Sequence, residues 1–304
     1  MPASVKPRVA VIGLGSMGFG MAISLRRAGF EVTGCDVSAD SVARFVADGG
    51  KGAGSPAEAA KLADIVVSVV VNAAQTETIL FGANGVAETL GKGGVFISSA
   101  TMDPDVARRL AKQLEATERH YLDAPISGGA QRAAQGELTI LASGSPAAFS
   151  KARPALDAMA AKLYELGDDA GQGAAFKMIN QLLAGVHIAA ASEAIAFAAK
   201  QGLDIRKVYE VITASAGNSW MFENRMPHVL DGDYAPRSAV DIFVKDLGII
   251  QDMARSAKFP VPVSAAALQM FLMTSAAGMG RDDDASVARM YARVTGTHLP
   301  GEPK

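Results

Sequence analysis

Residues 9–25 constrain this chain more than any other stretch. A short apolar run, Val9 to Ile12, reads as a buried parallel strand. It ends in Gly13-Leu14-Gly15-Ser16-Met17-Gly18, a G-x-G-x-x-G pattern, and a helical spacing of Met17, Met21 and Leu25 follows. Gly13 permits the tight turn, Gly15 lets a pyrophosphate approach the backbone, and Gly18 lets helix and strand pack closely. The helix N-terminus then faces the anion with free N–H groups and a favourable dipole. The pattern alone is weak, since a glycine-rich turn of another α/β protein can carry it. Its context strengthens it: a second strand is expected over 31–35, and Asp36 stands where an acidic residue would bind a ribose 2′-hydroxyl. A dinucleotide-binding unit is the expected consequence.

At 304 residues, 49% of them apolar, the chain can build two substantial cores. A net charge of -2 implies no polyanion-binding surface, and no Lys/Arg cluster suits nucleic acid. The lone Cys35 cannot form an internal disulfide, which fits a reducing cytosol and a packing role. The first apolar run stops at Gly13, too short for a signal sequence or a membrane span. The expectation is a soluble, untargeted, cytoplasmic protein with no membrane partner.

Helices are expected over 39–48, from the capping signature Ser55-Pro56-Ala57-Glu58, over 72–80, and over 102–116 and 146–159. Strands are expected over 64–71, 94–98, 121–123, 138–142 and 162–166. Such alternation implies an α/β Rossmann-type fold, a parallel sheet doubly wound by helices, over residues 1–169. From 170 to 304 the pattern changes to an all-α domain, with helices over 173–200, 204–214, 238–257, 263–276 and 285–294. Residues 301–304 read as a frayed tail.

Three constellations can carry chemistry. Asp123-Ala124-Pro125-Ile126-Ser127-Gly128-Gly129-Ala130 follows a strand, and Ser127 with the N–H groups of Gly128 and Gly129 can cradle a carboxylate. An ordinary glycine turn reads equally well. Lys177, Asn180 and Gln181 share one helix face. A lysine there can serve as a general base, or it can be a solvated surface residue. Lys245-Asp246 places two charges in an apolar helix: an internal ion pair, a surface turn, or a cation reaching the cofactor. His120, His187, His228 and His298 show no ligand spacing, so no metal is expected. Asp282-Asp283-Asp284 reads as a helix cap, and Trp220 and Phe222 as helix-packing anchors.

Together these segments resemble the 3-hydroxyisobutyrate dehydrogenase (β-hydroxyacid dehydrogenase) family, from Arg8 to about Val294. Four motifs match in the family's order. Residues 13–18 look like its cofactor motif and 123–129 like its substrate motif, with Ile126 where valine is usual. Residues 171–180 look like its catalytic motif, and Lys245-Asp246-Leu247 like its second cofactor motif. The resemblance implies NAD as cofactor, Lys177 as the catalytic lysine, and substrate contacts from Ser127, Gly128, Gly129, Asn180 and Gln181. It further implies that Val70 and Val71 flank the adenosine side, that Thr101 lies near the nicotinamide, and that Lys245 reaches the cofactor. Asn180-Gln181 replaces the usual pair of asparagines, and Ser98-Ser99-Ala100-Thr101 replaces Asp-Met-Ser-Thr. Both changes count against 3-hydroxyisobutyrate itself. Residues 217–225 and 238–247 resemble the L-threonate-oxidising branch, which forms 2-oxo-tetronate. A tartronate semialdehyde reductase and a non-catalytic dinucleotide-binding member are the rivals, and Lys177 counts against the second. A homodimer or homotetramer is implied as well.

Overall fold

A computed structural model describes residues 6–302. Two compact units divide the chain, Met1–Lys177 and Met178–Lys304. The sequence boundary at 169/170 falls just before the helix that crosses this division.

In the first unit the elements run β1 (Val9–Ile12), α1 (Ser16–Arg27), β2 (Val32–Cys35), α2 (Ala39–Ala47), β3 (Lys51–Gly52), α3 (Pro56–Ala60), β4 (Ile65–Ser68), α4 (Ala73–Phe81), β5 (Val95–Ser98), α5 (Pro104–Glu115), β6 (His120–Asp123), β7 (Ile126–Ser127), α6 (Gly129–Gln135), β8 (Leu138–Ala142), α7 (Pro146–Met159) and β9 (Ala160–Glu165). The first six strands form one parallel sheet in the order β3-β2-β1-β4-β5-β6. The order reverses between β1 and β4, the switch point where ligands bind in open α/β sheets.

The apolar strands explain the sheet. β1, β4 and β5 are buried along their whole length, as strands covered on both faces must be. Val9 and Val11 join one core with Ile65, Val67 and Leu122, whereas Ala10 and Ile12 join the opposite core with Val66, Phe96 and Tyr121. Helix starts are fixed by side chains: Ser38, Ser55, Asn72, Asp103 and Ser145 each accept a first-turn N–H. Burial and nearby Asp36 push the Cys35 thiol up to about 11, consistent with a packing role.

One correction concerns the sheet. The expected strands at 138–142 and 162–166 do not extend it. They form a second, three-stranded sheet, β7-β8-β9, in which β7 and β8 are antiparallel. Apolar strands of both sheets look alike in sequence, and β7 is only two residues long.

The second unit is helical among its described residues. It contains most of α8 (Gln172–Lys200), then α9 (Ile205–Thr213), α10 (Trp220–Asp231), α11 (Val240–Ser256), α12 (Pro262–Thr274), a π turn and a short 3-10 turn, and α13 (Val287–Thr295). By length and composition α8 could cross a membrane, but half of its apolar stretch is buried within the protein. Met178 and Ile188 pack with Phe243, Leu247 and Phe271, and Ile195 packs with Phe222, Met226 and Val229. Ile179 and Leu183 stay exposed.

Two expectations here need correction. Trp220 is 52% exposed, whereas Phe222 is buried and stacks on Tyr209, 5.8 Å between centroids. Gly301 and Glu302 are not frayed: Arg289 and Arg293 both bind the Glu302 carboxylate, and the Tyr234 hydroxyl donates to Pro300 O at 3.2 Å. Pro303 and Lys304 lie outside the described residues.

Candidate active site

The glycine turn follows β1 at the switch point. Gly13 has φ +95°, and a Cβ there would strike the Val69 carbonyl oxygen. A Cβ on Gly18 would strike the Gly13 carbonyl oxygen, so α1 packs directly on the turn. At Gly15 a Cβ would meet nothing within 4 Å, which leaves the backbone open on that side. Unlike the five capped helices above, α1 has no side-chain cap at Gly15. Its first turn, with Ser16 and Met17, thus keeps backbone donors for an anion. Asp36 directly follows β2; its Oδ2 accepts the Leu14 N–H at 2.5 Å and its Oδ1 accepts the Ser38 N–H at 2.8 Å. Each carboxylate oxygen keeps a further lone pair. An open backbone, an uncapped helix and an acceptor at the next strand fit a dinucleotide.

Val70 and Val71 follow β4, and Thr101 follows β5. All three stand at the carboxyl edge of the same parallel sheet as the glycine turn. Val71 is half exposed, and its N–H donates to Gln75 Oε1 at 2.9 Å.

The proposed carboxylate cradle is part regular structure. Ser127 lies in β7, paired with Thr139. Gly128 (φ +140°) and Gly129 (φ +80°) turn the chain into α6, which has no side-chain cap, and a Cβ on Gly129 would meet open space. Lys177 is 7% exposed, and its Nζ donates to Ile126 O at 2.8 Å, next to Ser127 in the chain. The structure therefore corrects the surface-lysine alternative.

α8 begins where Gly173 passes the Leu141 carbonyl so closely that a Cβ would collide. Asp123, fully buried, accepts the N–H groups of Gly171 (3.0 Å) and Ala174 (2.8 Å) through Oδ2, and Ser143 Oγ accepts that of Gly173 at 2.9 Å. Burial pushes the Asp123 carboxyl up to about 6, against the lowering effect of these hydrogen bonds.

Further along α8, Asn180 Nδ2 donates to Gln181 Oε1 at 3.0 Å, and Gln181 Nε2 donates to Asp246 Oδ2 at 2.6 Å. Lys245 Nζ pairs with Asp246 Oδ1 at 2.6 Å, which makes the internal ion pair real. Asp246 is 1% exposed. Its tie to Gln181 joins residues 65 positions apart, and only the charge in an apolar helix hinted at it. Of the other polar candidates, Ser219 caps α10 through Phe222 N at 3.0 Å, and Asn218 Nδ2 binds Thr213 O and Glu223. Ser98 and Ser99 are buried at the end of β5. Among the described residues no group of three or more His, Cys, Asp or Glu is placed to hold a metal.

A family model for the NAD-binding domain of 6-phosphogluconate dehydrogenase matches residues 8–167. A second, for the NAD-binding region of NADP-dependent 3-hydroxyisobutyrate dehydrogenase, matches residues 171–291. An L-threonate dehydrogenase of Cupriavidus necator is 54% identical over 294 residues, covering 97% of this chain and 98% of that one. The Escherichia coli K12 L-threonate dehydrogenase is 47% identical and covers 96% of each. The crystal structure of a Salmonella typhimurium 3-hydroxyisobutyrate dehydrogenase superposes with TM-score 0.90 at 49% identity, covering 94% of this chain and 100% of that one. The chain belongs to the 3-hydroxyisobutyrate and L-threonate dehydrogenase family. This family member is an NAD-binding dehydrogenase, an oxidoreductase consistent with a small hydroxy-acid substrate.

Proposed function

We propose that this dehydrogenase oxidises the 2-hydroxyl of L-threonate to 2-oxo-tetronate, with Lys177 as general base. The carrying observation is the Lys177 amine, buried and held on Ile126 O beside Ser127. When bound, NAD supplies the hydride acceptor. The N–H groups of Gly128 and Gly129 and the Ser127 hydroxyl receive the substrate carboxylate. Neutral Lys177 takes the hydroxyl proton during oxidation and returns it during reduction. Asn180 and Gln181, on the same face of α8, orient Lys177 and bind substrate hydroxyls. Asp36 receives the adenosine ribose, Val70 and Val71 flank the adenosine, Thr101 lies by the nicotinamide, and Lys245 holds the cofactor from α11.

The relatives bear two substrate names at similar identity, so side-chain polarity supports the choice between them. Gln181 in place of asparagine, with Asn180, offers amides that suit several hydroxyls better than a branched methyl. A site built for hydroxyls rejects analogues lacking them, because its buried polar groups are left unpaired. The test compares kcat/KM for L-threonate, D-threonate, glycerate and 3-hydroxyisobutyrate with NAD at one pH. Strong preference for L-threonate is expected; turnover of 3-hydroxyisobutyrate with none of threonate overturns the substrate and leaves the family standing. We further propose a cytoplasmic homodimer or homotetramer without nucleic-acid or membrane partners. The exposed Ile179 and Leu183 of α8 support a second copy as what covers them.

A further inference from the structure

The segment joining β6 to β7 grips α8 at two heights. At the lower one, Asp123 Oδ2 accepts the Gly171 and Ala174 N–H groups, at 3.0 and 2.8 Å. One turn on, Ile126 O, three residues along the same segment, accepts Lys177 Nζ at 2.8 Å. Between them Ser143 Oγ takes the Gly173 N–H at 2.9 Å and lies 3.4 Å from Asp123 Oδ2. Asp123 and Ser143 are tied by backbone hydrogen bonds in both directions, 3.0 and 2.8 Å. The N-terminal turn of α8 is thus capped in trans, by a carboxylate from 48–51 residues earlier in the chain. A helix side chain capping its own turn would not fix that turn against the substrate loop; this arrangement does.

We infer that Asp123 is a positioning residue for catalysis: its ionised carboxylate sets the height of Lys177 on the Ser127 loop, and its protonation releases that setting. The inference rests on Lys177 being the acid–base group. A carboxylate accepts two N–H groups in a charge-assisted way, and the protonated acid loses much of that strength. Asp123 is fully buried, and among the described residues its Oδ1 has no hydrogen-bond donor. The groups facing it are the Gly171 and Ala174 N–H groups, the Ser143 hydroxyl, Arg108 of α5, which favours ionisation, and Tyr121 of β6. Desolvation outweighs these favourable contacts and pushes the Asp123 carboxyl up to about 6.

The reduction direction separates the two titrating groups. Protonated Lys177 is the competent acid there, so its titration removes activity only on the alkaline side. A loss of kcat for 2-oxo-tetronate and NADH below about pH 6 has to come from another group. The wild-type enzyme is expected to show that acid limb. Asp123→Asn, which keeps an acceptor oxygen but does not titrate, should have a lower kcat, a flat acid side and an unchanged Kd for NADH. Ser143→Ala removes a hydroxyl that favours ionisation, so its limb should move to higher pH; this holds even if Asp123→Asn fails to fold. A wild-type limb retained in Asp123→Asn, an unmoved limb in Ser143→Ala, or no limb in the wild type overturns the inference. Full turnover by Lys177→Ala would instead remove the reading beneath it, a separate result.

Discussion

Gln181 donates an amide hydrogen to Asp246 at 2.6 Å, and that bond decides which way two amides face. A carboxylate already paired with Lys245 has only acceptors to offer, so Gln181 must turn its NH2 toward it. Gln181 Oε1 is then left for Asn180 Nδ2, and Asn180 keeps Oδ1 and one N–H for a ligand. Asparagine at 181 would be one methylene shorter. Gln181→Asn is therefore expected to break the tie. Hydrogen bonds to charged groups contribute about 1.5–3 kcal/mol, roughly a 10- to 100-fold effect. KM for L-threonate should rise on that scale while Kd for NADH stays put; steady-state kinetics and NADH fluorescence titration check both.

Lys177→Ala should lose roughly 10²- to 10⁴-fold in kcat, the usual cost of removing a general acid–base group. Its NADH affinity should be retained, since the lysine leaves the glycine turn untouched. Stopped-flow hydride transfer with a bound-NADH control is the measurement. Near-normal rates in a folded variant would assign the proton transfer to another side chain.

Cofactor choice should favour NAD. Asp36 holds its carboxylate at the end of β2, where a 2′-phosphate would meet like charge, and Val37-Ser38 supplies no arginine to offset it. Arg44 lies over the Phe19 ring, 4.1 Å from its centroid. The ratio of kcat/KM for NAD to that for NADP tests this, and a ratio at or below one contradicts it.

Arg225 and Asp284 make a buried pair, Nε to Oδ1 at 2.6 Å, with the carboxylate wholly inside. Removing one partner of such a pair costs about 3–5 kcal/mol, because the remaining charge is left uncompensated. Arg225→Met should lower Tm at pH 8 accordingly. Burial already pushes Asp284 up to about 6, above its unfolded value, so its ionised form opposes folding. Arg225 holds the Asp284 pKa down, so in the variant Asp284 takes up its proton above about pH 6, and the deficit should shrink as pH falls from 8 and be largely gone at pH 5. Thermal melts at pH 5 and pH 8 decide it.

Much of the first unit was legible because its signals are local. The glycine turn, the Ser55 cap and the apolar strands each declare themselves within a few residues. β7 and α6 were not legible: two residues make no pattern, and Gly-Ala-Gln-Arg-Ala-Ala-Gln opens on a glycine at φ +80°. α10 was hidden by Pro227 in its interior. In the site, Lys177 could be singled out by motif, but its burial could not. The holds of Asp123 on Gly171 and of Asp246 on Gln181 join residues 48 and 65 positions apart, so no local pattern could show them.

The Leu14–Asp36 hydrogen bond makes cofactor choice hard to redesign one residue at a time. The carboxylate proposed to turn away a phosphorylated ribose also pins the amide at the centre of the glycine turn. Exchanging Asp36 for alanine relaxes the first property and unpins the second, so NADP would gain entry to a loosened cradle. A productive switch has to keep an acceptor for the Leu14 amide, as serine or asparagine can, and bring its positive charge from elsewhere, such as the Val37-Ser38 turn. Specificity at this corner therefore changes through paired substitutions, with the amide's new acceptor installed first.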